Sequence, residues 1–297
     1  MPSLITIKNM SHSLGGKIVL ENINIALEEA TVTGLGGING AGKTTLMRLI
    51  SGVYVPDAGE IRFGEDPVDL PSVKEQIFFL PDDPYYNHRT TGNELFSMYK
   101  QFYPSADRKV FDDTLELFGL SPKERLRSFS KGMRRQMFVA IALAIKPKLL
   151  LLDESFDGLD PKARLSFKKA VNVFVEENDT TVLIASHSLR ELEDFCDSYI
   201  MIDNRTVSSS GDITDDVSKY CKYQLAFSEP IGEEAFENMP AVSLSLNGKF
   251  VTVILEADEK EAEEMLLTLS PVIMDKMTMD FEEMFICEAE KKGKEKK

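Results

Sequence analysis

Residues 36–46 read GGINGAGKTTL. Residues 36–43 hold four glycines, one alanine and one lysine, and KTTLMRLISG then reads as a helix closed by Gly52. A stretch with so few side chains has little to pack and cannot form core. It makes sense where something must approach the backbone closely. The segment before it, TVTGLG, reads as a short buried strand, so the order is strand, glycine loop, helix. The spacing G-x-x-x-x-G-K-[ST] is filled by Gly37, Gly42, Lys43 and Thr44. That pattern suits phosphate for a physical reason. Backbone N–H groups wrap the anion, which only small residues permit, and the helix N-terminus adds its dipole. The predicted cradle runs through Gly37, Ile38, Asn39, Gly40, Ala41, Gly42, Lys43, Thr44 and Thr45. Lys43 is expected to reach the terminal phosphates and Thr44 to ligate Mg²⁺.

Upstream of the loop, LITIKNMSHSL and KIVLENINIAL alternate with the period of two that marks strands. Downstream, GEIRFGED reads as a hairpin and EQIFFLP as a buried strand stopped by Pro81. Residues 91–126 read as helical, with breaks at Pro104 and Pro122, and KGMRRQMFVAIALAI reads as a helix stopped at Pro147. KLLLLDE is an apolar strand ending in two carboxylates, and DPKARLSFKKAVNVFVEE a helix with Pro161 near its first turn. TTVLIASH then reads as a buried strand and SLRELEDFC as a helix. Strands alternating with helices imply a parallel α/β sheet. The pattern changes after SSSGDIT, near residue 211. KYQLAF, VSLSLNG and KFVTVILEA alternate like antiparallel strands, the Asn-Gly pair of LNGK (246–249) suggests a tight hairpin turn, and EKEAEEMLLTLS reads as an amphipathic helix. The expected organisation is an α/β domain over residues 1–215, with a helical insert at about 85–125. A small α+β accessory domain follows over 220–297, in the order strand, helix, strand, strand, helix, strand.

Two further stretches carry chemistry. In LLLLDE (149–154) an apolar strand carries Asp153 from the core to a sheet edge, where it can hold Mg²⁺ directly or through water. Glu154 would then lie near a γ-phosphate and accept a proton from an attacking water. In FSKGMRRQ (129–136), Ser130 and Gly132 open a helix. Ser130 reads either as an ordinary N-cap or as part of an anion site at the helix N-terminus.

With these motifs assembled, residues 3–215 resemble the ATP-binding subunit of an ABC transporter, a P-loop NTPase fold. GINGAGKTT is similar to its Walker A loop, SKGMRRQ to its signature motif and LLLLDES to Walker B. FDGLD, ending at Asp160, is similar to the D-loop, and ASH to the switch histidine, His187. Lys131 and Met133 stand where the signature usually has Gly and Gln. The resemblance implies two such subunits closing head to tail around two ATP molecules. Ser130 and Gly132 of one chain would touch the γ-phosphate held by Lys43 of the other, and His187 would contact it too. It implies a second ATPase subunit, identical or a paralogue, and an integral membrane transporter subunit, so the chain would be cytoplasmic and peripheral on the inner face of the membrane. The accessory domain resembles those of exporter-type subunits. Two positions depart from the family pattern. Leu14, in SHSLGGK, stands where an aromatic residue usually stacks on adenine, with His12 as a substitute. Asp82, or Asp83 one residue on, stands where a glutamine usually touches Mg²⁺.

Bulk properties narrow the field. The chain has 297 residues, 43% of them hydrophobic, enough for a core in one large or two smaller domains. No apolar run approaches the roughly 20 residues that cross a bilayer, and MPSLITIKNM lacks the pattern of a signal peptide. The net charge of −15 argues against nucleic acid as a partner, because phosphate neutralisation needs a basic face. The basic tail KKGKEKK reads as a solvated, disordered end. Cys196, Cys221 and Cys287 are scattered and without metal spacing, which fits inert thiols in a reducing compartment. Two other readings stand beside transport. One is a non-transport ABC ATPase, which would bring coiled coils, a second cassette or basic arms. The other is a nucleotide-gated sensing subunit with little hydrolysis, against which Glu154 and His187 speak.

Overall fold

The computed structural model describes residues 3–295, with side chains through residue 288. The chain divides into two compact units, residues 1–210 and 211–297.

The first unit opens with a long hairpin, β1 (Ser3–Leu14) and β2 (Lys17–Glu28), paired antiparallel. Next come β3 (Val32–Gly36), the glycine loop and α1 (Lys43–Ile50). Then β4 (Ala58–Phe63) pairs with the short β5 (Asp66–Pro67). The chain continues through α2 (Pro71–Lys74) and β6 (Ile77–Leu80) into two insert helices, α3 (Gly92–Phe102) and α4 (Arg108–Phe118). Both insert helices are capped from the sequence: Thr91 and Glu94 form a reciprocal capping box on α3, and Asp107 accepts from Lys109 and Val110 on α4. Phe96 and Phe111 stack at 4.7 Å between them. The remaining elements are α5 (Lys131–Ile145), β7 (Leu149–Asp153), α6 (Pro161–Asn178), β8 (Thr181–Ala185), α7 (Leu189–Glu193), β9 (Ser198–Asp203) and β10 (Thr206–Asp212).

The central sheet has the order β10-β9-β3-β8-β7-β6, and the pairs from β9 through β6 are parallel. All five residues of β3, β7 and β8 are buried, as expected where both faces of a parallel sheet are covered. Each of Leu149 to Leu152 is 0% exposed, and burying such a side chain contributes roughly 1.5–3 kcal/mol against leaving it in water. The second sheet, β2-β1-β4-β5, shares a core with α1 and the central sheet: Ile7, Met10, Leu20, Leu49, Leu151 and Ile200 pack in one cluster. Sequence reasoning missed β9 and β10. Four buried apolar residues, Tyr199 to Ile202, were the available signal for β9.

The second unit comprises α8 (Ile213–Ser218), β11 (Tyr220–Ala226), a 3₁₀ turn at Glu233–Phe236, β12 (Ala241–Asn247), β13 (Phe250–Glu256), α9 (Glu259–Leu267), β14 (Ile273–Met277) and α10 (Phe281–Glu295). Its sheet has the order β12-β13-β11-β14, with every pair antiparallel. Tyr223, Leu225, Val253 and Leu255 form its core with Ala262 and Leu266 of α9. Two details differ from expectation. Asn247 pairs with Phe250, so the hairpin turns on Gly248 and Lys249, one residue later than the Asn-Gly pair. Gly248 has φ 64°, the left-handed backbone needed at the first central position of such a turn. The basic tail is also not a free end: α10 takes in residues 291–295, while Lys296 and Lys297 lie outside the described residues. Phe281 and Met284, both 0% exposed, anchor the start of α10, and once a helix is nucleated each further residue adds a hydrogen bond.

Candidate functional site

In a parallel sheet ligands gather outside the carboxyl ends of the strands. Here four adjacent strands, β3, β8, β7 and β6, each lead at that end into a stretch singled out in the sequence. β3 runs into the glycine loop, β8 into Ser186 and His187, β7 into Asp153 and Glu154, and β6 into Pro81 and Asp82. Residues from Asn39 to Thr45 line a cleft with Val19, Asp82, Asp153 and Glu154.

The loop geometry follows from its glycines. Gly37 has φ 147°, and a Cβ there would lie 2.6 Å from the Ile202 carbonyl oxygen, so no other residue fits without moving β9. Gly42 caps α1 in left-handed backbone. The Lys43 ammonium arches back over the loop, donating to the Gly37 carbonyl at 2.6 Å. It also lies 3.5 Å from Glu154 Oε1. Ile38 and Asn39 are exposed at the tip, whereas Thr45 is buried.

Thr44 Oγ1 donates to Asp153 Oδ2 at 2.8 Å. The other carboxylate oxygen, Asp153 Oδ1, is buried with no hydrogen-bond partner. Burial raises the Asp153 pKa, partly offset by the Thr44 hydrogen bond. A hydroxyl and a carboxylate oxygen side by side, one oxygen unsatisfied, form a hard-oxygen pair that fits Mg²⁺.

Glu154 follows with φ 47°, a backbone region that costs a non-glycine residue energy and gathers at functional sites. Its amide donates to the Ala185 carbonyl at the end of β8. Its Oε2 lies 3.0 Å from His187 Nδ1. Asp157 joins them: ligating atoms of Glu154, Asp157 and His187 all lie within 4.8 Å of one another.

Asp82 has a different setting. Its Oδ1 accepts from Arg135 Nη2 at 2.6 Å and from Lys131 Nζ at 3.2 Å. Burial pushes its pKa up, but the hydrogen bonds from Lys131 and Arg135 outweigh that and hold it below the usual carboxylate range. The structure thus ties Asp82 to α5 while leaving it on the cleft wall.

The remaining candidates sit at helix starts and at the hairpin. Ser130 caps α5 by accepting from the Met133 amide. Gly132 faces the following loop so closely that a Cβ would lie 2.4 Å from the Gly158 carbonyl oxygen. Asp160 caps α6, accepting from the Ala163 amide at 2.8 Å. Leu14, 38% exposed, ends β1 and is not among the cleft-lining residues; Val19, on β2 of the same hairpin, is. His12 is buried and stacks on Tyr54 instead.

Residues 20–157 match the ABC transporter family. The ABC-type transporter ATP-binding protein EcsA of Bacillus subtilis (strain 168) is 30% identical over 225 residues, which cover 72% of this chain and 89% of EcsA. The chain belongs to the ABC transporter ATP-binding family. A second relative, the ABC transporter ATP-binding protein YtrB of Bacillus subtilis (strain 168), is 29% identical over 289 residues, covering 96% of this chain and 97% of YtrB. That alignment takes in most of both units. Among solved structures, an ATP-binding subunit of an ABC transporter has a TM-score of 0.66 at 26% identity, covering 72% of this chain and 92% of its own. The fold is therefore that of the P-loop ABC ATPase domain. No helix among the described residues is long and apolar enough to cross a membrane.

Three residues of this ABC ATP-binding chain escaped sequence reasoning as individuals. Val19 is one apolar residue in an alternating strand, and Asp157 one acid inside FDGLD, where only Asp160 was singled out. Arg135 sits within a basic pair, and only the fold separates it from Arg134.

Proposed function

We propose that this chain hydrolyses ATP and that the reaction drives transport, in the export direction, through a separate integral membrane subunit. One observation carries the reading: the Glu154 carboxylate lies between Lys43 and His187, directly after Asp153 on the same strand end. In this reading the loop amides and Lys43 bind the phosphates of ATP, and Thr44 and Asp153 hold Mg²⁺. Mg²⁺ held there would supply charge neutralisation for the phosphates. Glu154 accepts the proton of the attacking water, and His187, hydrogen-bonded to it, orients it and contacts the γ-phosphate. Ser130, Gly132 and Asp160 serve the site of a second subunit, identical or a paralogue, which closes head to tail on the first. The peripheral attachment to the inner membrane face follows from that partnership. Export rests on the second unit, residues 211–297, which we assign to regulation or partner binding because no phosphate motif falls within it.

The test is ATP turnover by the purified chain, alone and reconstituted in vesicles with a polytopic membrane protein that co-purifies with it. Turnover stimulated by the membrane subunit supports the reading. Tight ATP binding with no turnover in either setting would favour a sensing role. A version ending at Gly211 is expected to keep ATP binding; loss of all affinity in a folded truncation would contradict the division of labour.

A further inference from the structure

Arg135 is 3% exposed, on the second turn of α5. A guanidinium so buried must have its donors satisfied, and its partners here are informative. Nη1 donates to the Asp153 carbonyl at 2.9 Å and faces Ser155 Oγ at 3.5 Å. Nη2 donates to both the Asp82 carbonyl and Asp82 Oδ1, each at 2.6 Å. One planar fork therefore grips the chain on both sides of Glu154 and also the segment after β6. Between the two gripped residues, Glu154 holds its left-handed backbone. Such a conformation persists only where the surroundings over-determine it. The Ala185 carbonyl holds the Glu154 amide from one side, and Arg135 holds the flanking residues from the other.

The helix that supplies the fork also begins with Ser130 and Gly132. Lys131, in the first turn, reaches the same Asp82 oxygen from the solvent side at 3.2 Å. Asp82 and Lys131 are charged partners between the end of β6 and the first turn of α5. The start of α5 and the strand ends bearing Asp153 and Glu154 are thus joined within one chain by a charge-assisted network.

We propose that Arg135 is a positioning residue that clamps the strained turn presenting Glu154 and locks it to the start of α5. The inference rests on the ATPase reading for its consequence, since a misoriented base costs rate. Its geometric content stands apart from that reading. A lysine cannot replace the fork, because a single ammonium cannot span acceptors on two strand ends at once.

The experiment pairs hydrogen exchange with kinetics in the full chain carrying Arg135→Gln or Arg135→Lys. Both variants are expected to speed amide exchange in segments 81–83 and 153–157 by about tenfold or more, leaving the rest of α5 unchanged. Turnover should fall roughly 10–100-fold, with ATP affinity in EDTA held within about twofold. A general packing role would instead loosen all of α5. Wild-type exchange at 153–157 in Arg135→Gln, or full turnover in Arg135→Lys, overturns the clamp. Should the Arg135 variants fail to fold, Asp82→Ala and Ser155→Ala each remove one side-chain acceptor from the fork, and the same local exchange must rise in both. If wild-type protein hydrolyses no ATP, the ATPase reading fails while the exchange result still decides the clamp.

Discussion

β6 and β7 are neighbours in one parallel sheet, and each delivers an aspartate at the same edge, yet the two carboxylates live under opposite conditions. Asp153 ends β7 and is 2% exposed, with one oxygen bonded to Thr44 and the other unpartnered. Asp82 lies just past β6, with a side chain 46% exposed and two cations on one oxygen. Burial dominates the first and raises its pKa; in the second, burial is outweighed by hydrogen bonds from Lys131 and Arg135, and the pKa falls. The difference teaches that a carboxylate at a strand end takes its role from what remains unsatisfied. Asp153 keeps one buried oxygen unsatisfied. Asp82 already has its cations, supplied by the chain itself.

The largest expected effect concerns the residue attached to the β7 end. Glu154→Gln should lower ATP turnover by roughly 10²–10⁴-fold while retaining ATP binding, and should trap an ATP-dependent dimer on gel filtration. Turnover near wild type would remove the general base from β7 altogether and erase the functional side of the contrast.

At the β6 end, Asp82→Ala should slow hydrolysis by about tenfold and weaken transport, with ATP binding through Lys43 intact. Asp83→Ala should leave both near wild type. The reverse pattern would assign the role to Asp83, one residue on, and would make the Asp82 ion pairs purely structural.

A stability measurement reads the contrast as a difference in sign. In EDTA and without nucleotide, Asp153→Asn should raise the melting temperature near neutral pH, because the buried charge costs desolvation that the amide avoids. Asp82→Asn should lower it, because Arg135 is left buried with one partner weakened. For a half-exposed carboxylate the cost is about 1 kcal/mol after screening, a shift of about 2–4 °C. Shifts of the same sign would mean that burial, and not pairing, governs both sites.

The smallest effect lies away from both strands and serves as their control. Leu14→Tyr should tighten ATP binding by roughly 0.5–1.5 kcal/mol through ring stacking on the base, and raise the preference for ATP over GTP. Titration calorimetry with both nucleotides checks it. No change in either constant would put the base against Val19, on the other strand of the hairpin.

Much of the first unit was legible because its signals are local. Apolar runs of strand length, such as LLLL before Asp153, read as buried strands because they are too short for a helix and are bounded by acids and prolines. Pro104 marked the break between two insert helices, whose starts are capped by Thr91 with Glu94 and by Asp107. The lapses are also physical. The β12–β13 turn shifted by one residue because the register Asn247–Phe250 decides which residue needs left-handed backbone. The basic tail joined a helix because Phe281 and Met284, some way before it, are buried.

By itself the sequence determined the glycine loop, the order of β1 to β8 along the chain and the identity of the acids at their ends. These depend on residues within a turn or two of one another, where spacing alone sets geometry. The tertiary structure decided which side chains meet. Thr44 and Asp153 are 109 residues apart, Arg135 and Asp82 are 53 apart, and Glu154 and His187 are 33 apart. What brings them together is the order of β3, β8, β7 and β6 across the sheet. That order follows from how buried strands and covering helices close a single core, a property of the whole chain that no short stretch carries.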